Sequence, residues 1–250
     1  MGGLDDASER YLGSLVITVG QRLGPDLVGT YLHGSAVLGG YDVRRSDLDV
    51  LVVTSSSLDP EWRRSLARAV SEDALPCPAI GLELSVVTVE SAARPTASPA
   101  FEVHVTTAPG DRKVVDGHRP AGDPDLVLHY AVCRASGRPL GGAPPPTQVF
   151  APVPEELVLA QFGDELAWAC SQAPPHYAVL NACRARRYAE DRLLVSKVDG
   201  GTWALGHLPA DQRPLVQAAL ARQRGETVHL DARRVTTLCA DVRAILEVRR

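Results

Sequence analysis

The spacing of apolar residues changes character once along these 250 residues, and that change restricts the possible folds more than any other feature of the chain. In the first part, short β-prone runs alternate with helical patterns. Leu12 to Leu23 carries apolar residues at helical spacing and stops near Gly24-Pro25, and Leu27 to Leu32 is β-prone. Leu48 to Thr54 reads as a second strand, so uniformly apolar that it belongs inside a sheet covered on both faces. A helix over Trp62 to Leu75, strands over Leu82 to Val89 and Phe101 to Thr106, and a helix over Asp125 to Ala135 complete the pattern. The breakers Gly141-Gly142-Ala143-Pro144-Pro145-Pro146, extended by Pro152 and Pro154, then interrupt it. Beyond them only helical spacing remains, over Glu155 to Cys170, Tyr177 to Leu194, Ser196 to Leu208, Arg213 to Arg224 and Ala232 to Val248. The expectation is an α/β domain with a mixed sheet over residues 1–150, followed by an all-α helical bundle over 151–250.

A chain of this length can bury two modest cores. Its formal net charge of −4 provides no basic field, which argues against nucleic acid and anionic membranes as partners. No stretch approaches the roughly 20 apolar residues of a membrane span, and the start Met1-Gly2-Gly3-Leu4-Asp5-Asp6 lacks the basic and apolar regions of a secretory signal, so a cytoplasmic monomer is expected. The five cysteines are scattered and never form the close pairs of zinc or redox sites, and they read as reduced thiols.

The chemistry is concentrated between Val28 and Val53. Gly34, just past the first strand, lets backbone amides approach a polyphosphate closely, and the Ser35 hydroxyl can donate to a phosphate oxygen. Downstream stands Ser46-Asp47-Leu48-Asp49, opening the second strand. Asp47 and Asp49 lie two apart, about 7 Å between Cα atoms in an extended chain, and face the same side. Two such carboxylates repel each other unless something cationic binds between them, and Mg²⁺, which takes a few carboxylates together with phosphate oxygens and water, is the natural guest. Glu83 interrupts an otherwise apolar strand, on the parity of Ser85 and Val87, and could face the aspartate pair from a neighbouring strand.

The segment Tyr31-Leu32-His33-Gly34-Ser35-Ala36-Val37 with Gly39-Gly40 and Ser46-Asp47-Leu48-Asp49-Val50-Leu51-Val52 resembles the motif of the polymerase β-like nucleotidyltransferases. More narrowly, together with Val179-Leu180-Asn181-Ala182-Cys183-Arg184, Ser196-Lys197, Trp203-Ala204-Leu205 and Leu208-Pro209, it resembles the aminoglycoside nucleotidyltransferases of the streptomycin/spectinomycin 3''-adenylyltransferase type. That resemblance implies an ATP-using, Mg²⁺-dependent enzyme that moves AMP to a hydroxyl of a small acceptor, an aminoglycoside or aminocyclitol antibiotic, and releases pyrophosphate. It implies that Gly34, Ser35 and Ser46 hold phosphates, that Asp47 and Asp49 hold the metal, and that Glu83 is the general base. It also implies that Arg184 and Lys197 of the helical part reach the triphosphate. In streptomycin-modifying relatives the loop before Tyr177 carries acids, whereas here it reads Ser171-Gln172-Ala173-Pro174-Pro175-His176. Two rival readings are transfer of the nucleotide to a different small-molecule or protein hydroxyl, and an antitoxin-like module that binds nucleotide without turnover.

Overall fold

The structure, a computed structural model, describes residues 3–117 and 122–250. It divides into two compact units, Met1–Val153 and Pro154–Arg250.

The first unit runs α1 (Asp6–Leu23), β1 (Leu27–Leu32), α2 (Ser35–Leu38), β2 (Leu48–Thr54), α3 (Pro60–Ala69), β3 (Leu82–Thr88), α4 (Val89–Ala93), β4 (Val103–Thr106), β5 (Lys113–Asp116), α5 (Leu126–Ser136), β6 (Arg138–Leu140) and α6 (Pro146–Val149). The strands form one mixed sheet in the order β5-β4-β3-β2-β1-β6. Only β2 and β3 are parallel, and the other neighbours pair antiparallel. The apolar strand β2 is central, as its unbroken run of buried residues requires.

Because side chains alternate across a strand, the sheet has two distinct faces. Leu48, Val50, Val52, Leu82, Leu84 and Val86 share a core with Leu12, Leu15 and Val19 of α1 and Leu66 of α3. Leu51, Val53 and Val87 share the other core with Leu126, Tyr130 and Cys133 of α5 and Phe150. Asp49 and Glu83 have the parity of this second face, the one that α5 covers.

Local chemistry sets the element ends. At the start of α1 the Asp5 carboxylate accepts a 2.8 Å bond from the Ser8 amide, and Gly24 closes the helix. Helix α3 begins at Pro60, which suits a first turn, and ends at Ala69, well before the expected Leu75. The Ser71 hydroxyl bonds back to the Arg68 carbonyl at 2.8 Å, a local bond that competes with helix continuation. Strands β5 and β6 have no counterpart in the sequence reading. In β5 three of four residues are exposed, so no apolar alternation marks it, and the three-residue β6 contains Pro139, tolerable only because β6 is an edge.

The second unit contains α7 (Glu155–Gln172), α8 (Pro175–Asp191), α9 (Lys197–His207), α10 (Arg213–Gln223) and α11 (Ala232–Arg249), with no strand among its described residues. Helix α8 contributes a nearly continuous buried face from Ala178 to Cys183. Gly200 and Gly201 let α9 approach it closely, since a Cβ on Gly200 would lie 2.8 Å from the Arg184 backbone.

Candidate active site

Strand β1 ends at Leu32, and the chain turns at once through His33 and Gly34 into the single turn of α2. Gly34 has φ +63° and ψ −144°, a conformation closed to residues with side chains. A second constraint is stronger: a Cβ on Gly34 would stand 1.8 Å from Oδ2 of Asp49. The bend therefore lies directly against the Asp49 carboxylate, and the His33 amide donates to the Asp49 carbonyl at 2.9 Å, fixing bend to strand. Within the bend, the amides of Val37 and Leu38 both turn back to the Gly34 carbonyl.

The opposite side of the site comes from β3. In the parallel pairing Asp49 stands beside Glu83, so the two carboxylates emerge from adjacent strands on one face, about 5 Å apart at their backbones. Both are half-buried, as is Asp47, which precedes β2. Ser46 lies in a tight turn: its amide donates to the Asp42 carbonyl at 2.8 Å, and its hydroxyl accepts from the Asp42 amide at 3.1 Å. That hydroxyl keeps its proton for donation to another acceptor. Gly34, Asp49 and Glu83 are thus brought together by backbone pairing, with Ser35, Ser46 and Asp47 in the segments leading from and into those strands.

Three histidines surround the carboxylates. His33 is only 2% exposed, and its ring lies against His129 of α5 with centroids 4.8 Å apart. Burial, reinforced by the neighbouring His129, holds the His33 imidazole well below its ordinary value. His129 Nε2 in turn faces Glu83 Oε1 at 3.8 Å. From β4, His104 Nδ1 meets the Ser85 hydroxyl at 2.9 Å; burial lowers its pKa, while Glu83 and Asp123 act in the opposite direction. His129 escapes the sequence motif, although one signal marks it: between Leu126 and Cys133 it is the only His, Asp, Glu, Lys or Arg.

Oxygen donors alone, from Asp47 and Asp49, suit a hard cation whose remaining ligands are phosphate oxygens and water, so the residues present fit Mg²⁺. Among the described residues no three His, Cys, Asp or Glu side chains form a closed metal cage by themselves.

In the second unit Arg184 and Lys197 belong to one polar cluster. Arg184 Nη2 bonds both carboxylate oxygens of Glu165, at 3.0 and 3.3 Å, and its guanidinium lies over the Phe162 ring at 5.3 Å. The Tyr177 hydroxyl donates to the same Glu165 at 3.1 Å, and the Lys197 ammonium sits 3.9 Å above the Tyr177 ring. Lys197 opens α9, whose first turn is capped by Ser196 accepting from the Asp199 amide at 3.0 Å. Trp168, which helical spacing suggests is core, is 52% exposed and stands edge-on to Tyr177 at 6.0 Å.

Residues 148–244 match the family model of the aminoglycoside adenylyltransferase C-terminal domain. An aminoglycoside (3'') (9) adenylyltransferase of Klebsiella pneumoniae is 29% identical over 245 residues, covering 89% of this chain and 87% of its own length. A spectinomycin 9-adenylyltransferase of Staphylococcus aureus is 28% identical over 217 residues, covering 81% of this chain and 80% of that one. This chain resembles the aminoglycoside adenylyltransferases, as its motifs predict. The relatives it resembles are adenylyltransferases. The fold agrees: the spectinomycin adenyltransferase AAD(9) from Enterococcus faecialis, crystallised with ATP and spectinomycin, superposes with a TM-score of 0.75 at 16% identity, over 96% of this chain and 99% of that one. The mixed sheet of the adenylyltransferase-like chain is the framework that carries Asp49 and Glu83 side by side.

Proposed function

We propose that the chain transfers AMP from ATP to a hydroxyl of an aminoglycoside or aminocyclitol antibiotic and releases pyrophosphate. The observation that carries this reading is the pairing of Asp49 with Glu83 on parallel strands, under a glycine bend too close to Asp49 to admit a side chain. A binding module needs no third carboxylate beside a metal pair; a transferase needs one as a base.

In this reading Gly34 and Ser35 receive the triphosphate, the bend contributing backbone and the serine a hydroxyl donor. Ser46 donates its hydroxyl proton to a second phosphate oxygen. Asp47 and Asp49 hold Mg²⁺, which when bound neutralises charge on the phosphate oxygens. Glu83 takes the proton of the acceptor hydroxyl at a carboxylate oxygen while that hydroxyl oxygen attacks the α-phosphorus. The bond to pyrophosphate breaks as the new ester bond forms. Arg184 and Lys197 supply cations for the triphosphate, and Glu165 and Tyr177 hold them in place beforehand, which reduces the ordering cost of binding. We take the protein to work in the cytoplasm as a monomer of two domains, 1–150 and 151–250.

Pyrophosphate release tests the proposal. With ATP, Mg²⁺ and spectinomycin or streptomycin, turnover is expected in the wild type and should fall to a small residue in Asp49→Asn and Glu83→Gln. Release only with unrelated hydroxyls would reassign the acceptor, and none with any acceptor would leave a nucleotide-binding module.

A further inference from the structure

Glu83 is not held by backbone pairing alone. Helix α5 is anchored through Leu126, Tyr130 and Cys133, all fully buried in the second core, and this anchoring carries His129 over the sheet face toward β3. His33 backs the His129 ring from the end of β1 and is tied to β2 through the Asp49 carbonyl. The imidazole therefore sits between a buried ring and a carboxylate.

We propose that His129 is a positioning residue for Glu83: its Nε2 faces Oε1 at 3.8 Å and fixes the carboxylate, leaving Oε2 to receive the acceptor proton. This separation is longer than a direct hydrogen bond, so the two groups act through a bridging water until the carboxylate draws closer. A glutamate has three rotatable bonds, and a base that samples several rotamers seldom presents its lone pair to the nucleophile. Holding one oxygen leaves a defined direction for the other. Among the described residues, His33 lies against the His129 ring and His104 on β4 interacts with it electrostatically, while Asp123 and Lys113 act on His104 in turn.

The inference rests on the reading of Glu83 as general base, and the two can be tested apart. Steady-state AMP transfer is measured with ATP, Mg²⁺ and the acceptor that the wild type turns over best. His129→Ala is expected to lower kcat by about tenfold, a typical cost of losing an orienting partner. KM for ATP and acceptor should stay within about twofold, because in this role His129 acts on Glu83 and not on either substrate. His129→Gln places an amide donor at similar reach and should restore most of kcat; it also tests the role should the alanine variant fold poorly. In a Glu83→Gln background, His129→Ala should cause no further loss of the residual turnover. Undiminished kcat in both His129 variants, a change in KM alone, or an equal additional loss in the Glu83→Gln background would overturn the positioning role while leaving the base intact. Full turnover by Glu83→Gln itself, or no AMP transfer by the wild type to any hydroxyl, would remove the base assignment and the positioning role with it.

Discussion

Gly34 and Asp49 approach each other so closely that a methyl group on the first would occupy the space of the second's carboxylate, at 1.8 Å from Oδ2. Two demands meet at one position: a positive φ for the bend and empty space beside a proposed metal ligand. Gly34→Ala should therefore be more damaging to activity than to folding. This Gly-favouring conformation, positive φ with extended ψ, costs an alanine about 1–3 kcal/mol, but displacing Asp49 would misplace the proposed cation and with it the nucleotide. The expected result is a loss of kcat/KM of a hundredfold or more. A urea melt should show a destabilisation of only about 1–3 kcal/mol. A variant that is unstable but, at low temperature, fully active would contradict the argument.

Away from the site, Arg63 of α3 reaches into a buried ion pair. Its Nη1 lies 3.3 Å from Glu102 and donates to the Leu58 carbonyl at 2.8 Å, while Glu102 also accepts the Leu58 amide at 2.8 Å. The side chains are 3% and 11% exposed, and Arg63 Nε also lies 3.2 Å from the half-exposed Asp116, so removing Glu102 leaves the buried guanidinium to Asp116 and the Leu58 amide without its carboxylate acceptor. Glu102→Ala should cost about 1–3 kcal/mol in chemical denaturation. The double variant Arg63→Met, Glu102→Ala should cost less than the sum of the single changes, because the second substitution removes the guanidinium that Glu102 no longer meets.

The sequence shows these features unequally, for physical reasons. Strands β1 and β2 are legible to the residue because Leu27–Leu32 and Leu48–Thr54 are β-prone runs bounded by Gly24-Pro25, Gly34 and Asp47. Asp47 and Asp49 are visible because they stand two apart in the chain, and Gly34 because it stands just past the end of β1. Glu83 is visible only as an interruption, since its partner Asp49 is reached through strand pairing that no local pattern encodes. His129 is less visible still: α5 reads as an apolar helix, and only the fold discloses which polar group its stripe presents to β3. Trp168 misleads for the converse reason, because helical spacing says which face a residue occupies but not whether another helix covers it. Glu165 is a further case, since acids on helices are ordinarily solvated and this one is engaged by both Arg184 and Tyr177.

All five cysteines are free, yet only Cys170 is exposed. Burial pushes the Cys183 thiol up to about 12 and Cys77 up to about 11, and it raises Cys133 and Cys239 as well. Thiolate is the reactive species, so these four should be inert at mildly alkaline pH. A disulfide reagent at pH 8 is expected to titrate one thiol rapidly in the native protein and the other four only after unfolding. Cys170→Ser should abolish the fast phase. A fast phase that survives this change would mean that a buried thiol is accessible after all.

His104 supplies a pH dependence whose sign can be worked out. Burial lowers its folded-state pKa below the ordinary value of about 6.5, and the Ser85 hydroxyl at 2.9 Å satisfies its Nδ1. The unfolded chain, whose histidine titrates near the ordinary value, therefore binds a proton at a pH where the folded protein does not. Stability rises with pH wherever the unfolded state holds more protons, so this contribution is complete above about pH 6.5 and is lost as the pH falls below it. A single such group changes stability by at most about 1.4 kcal/mol per pH unit. His33, more deeply buried, is shifted in the same direction and adds to the same loss. Urea melts at pH 7.5 and 5.5 should show the wild type weakened at the lower pH. His104→Gln, which cannot titrate but keeps a polar group toward Ser85, should weaken less between the two. An equal loss in both proteins would mean that His104 takes up its proton in the folded state as readily as in the unfolded chain.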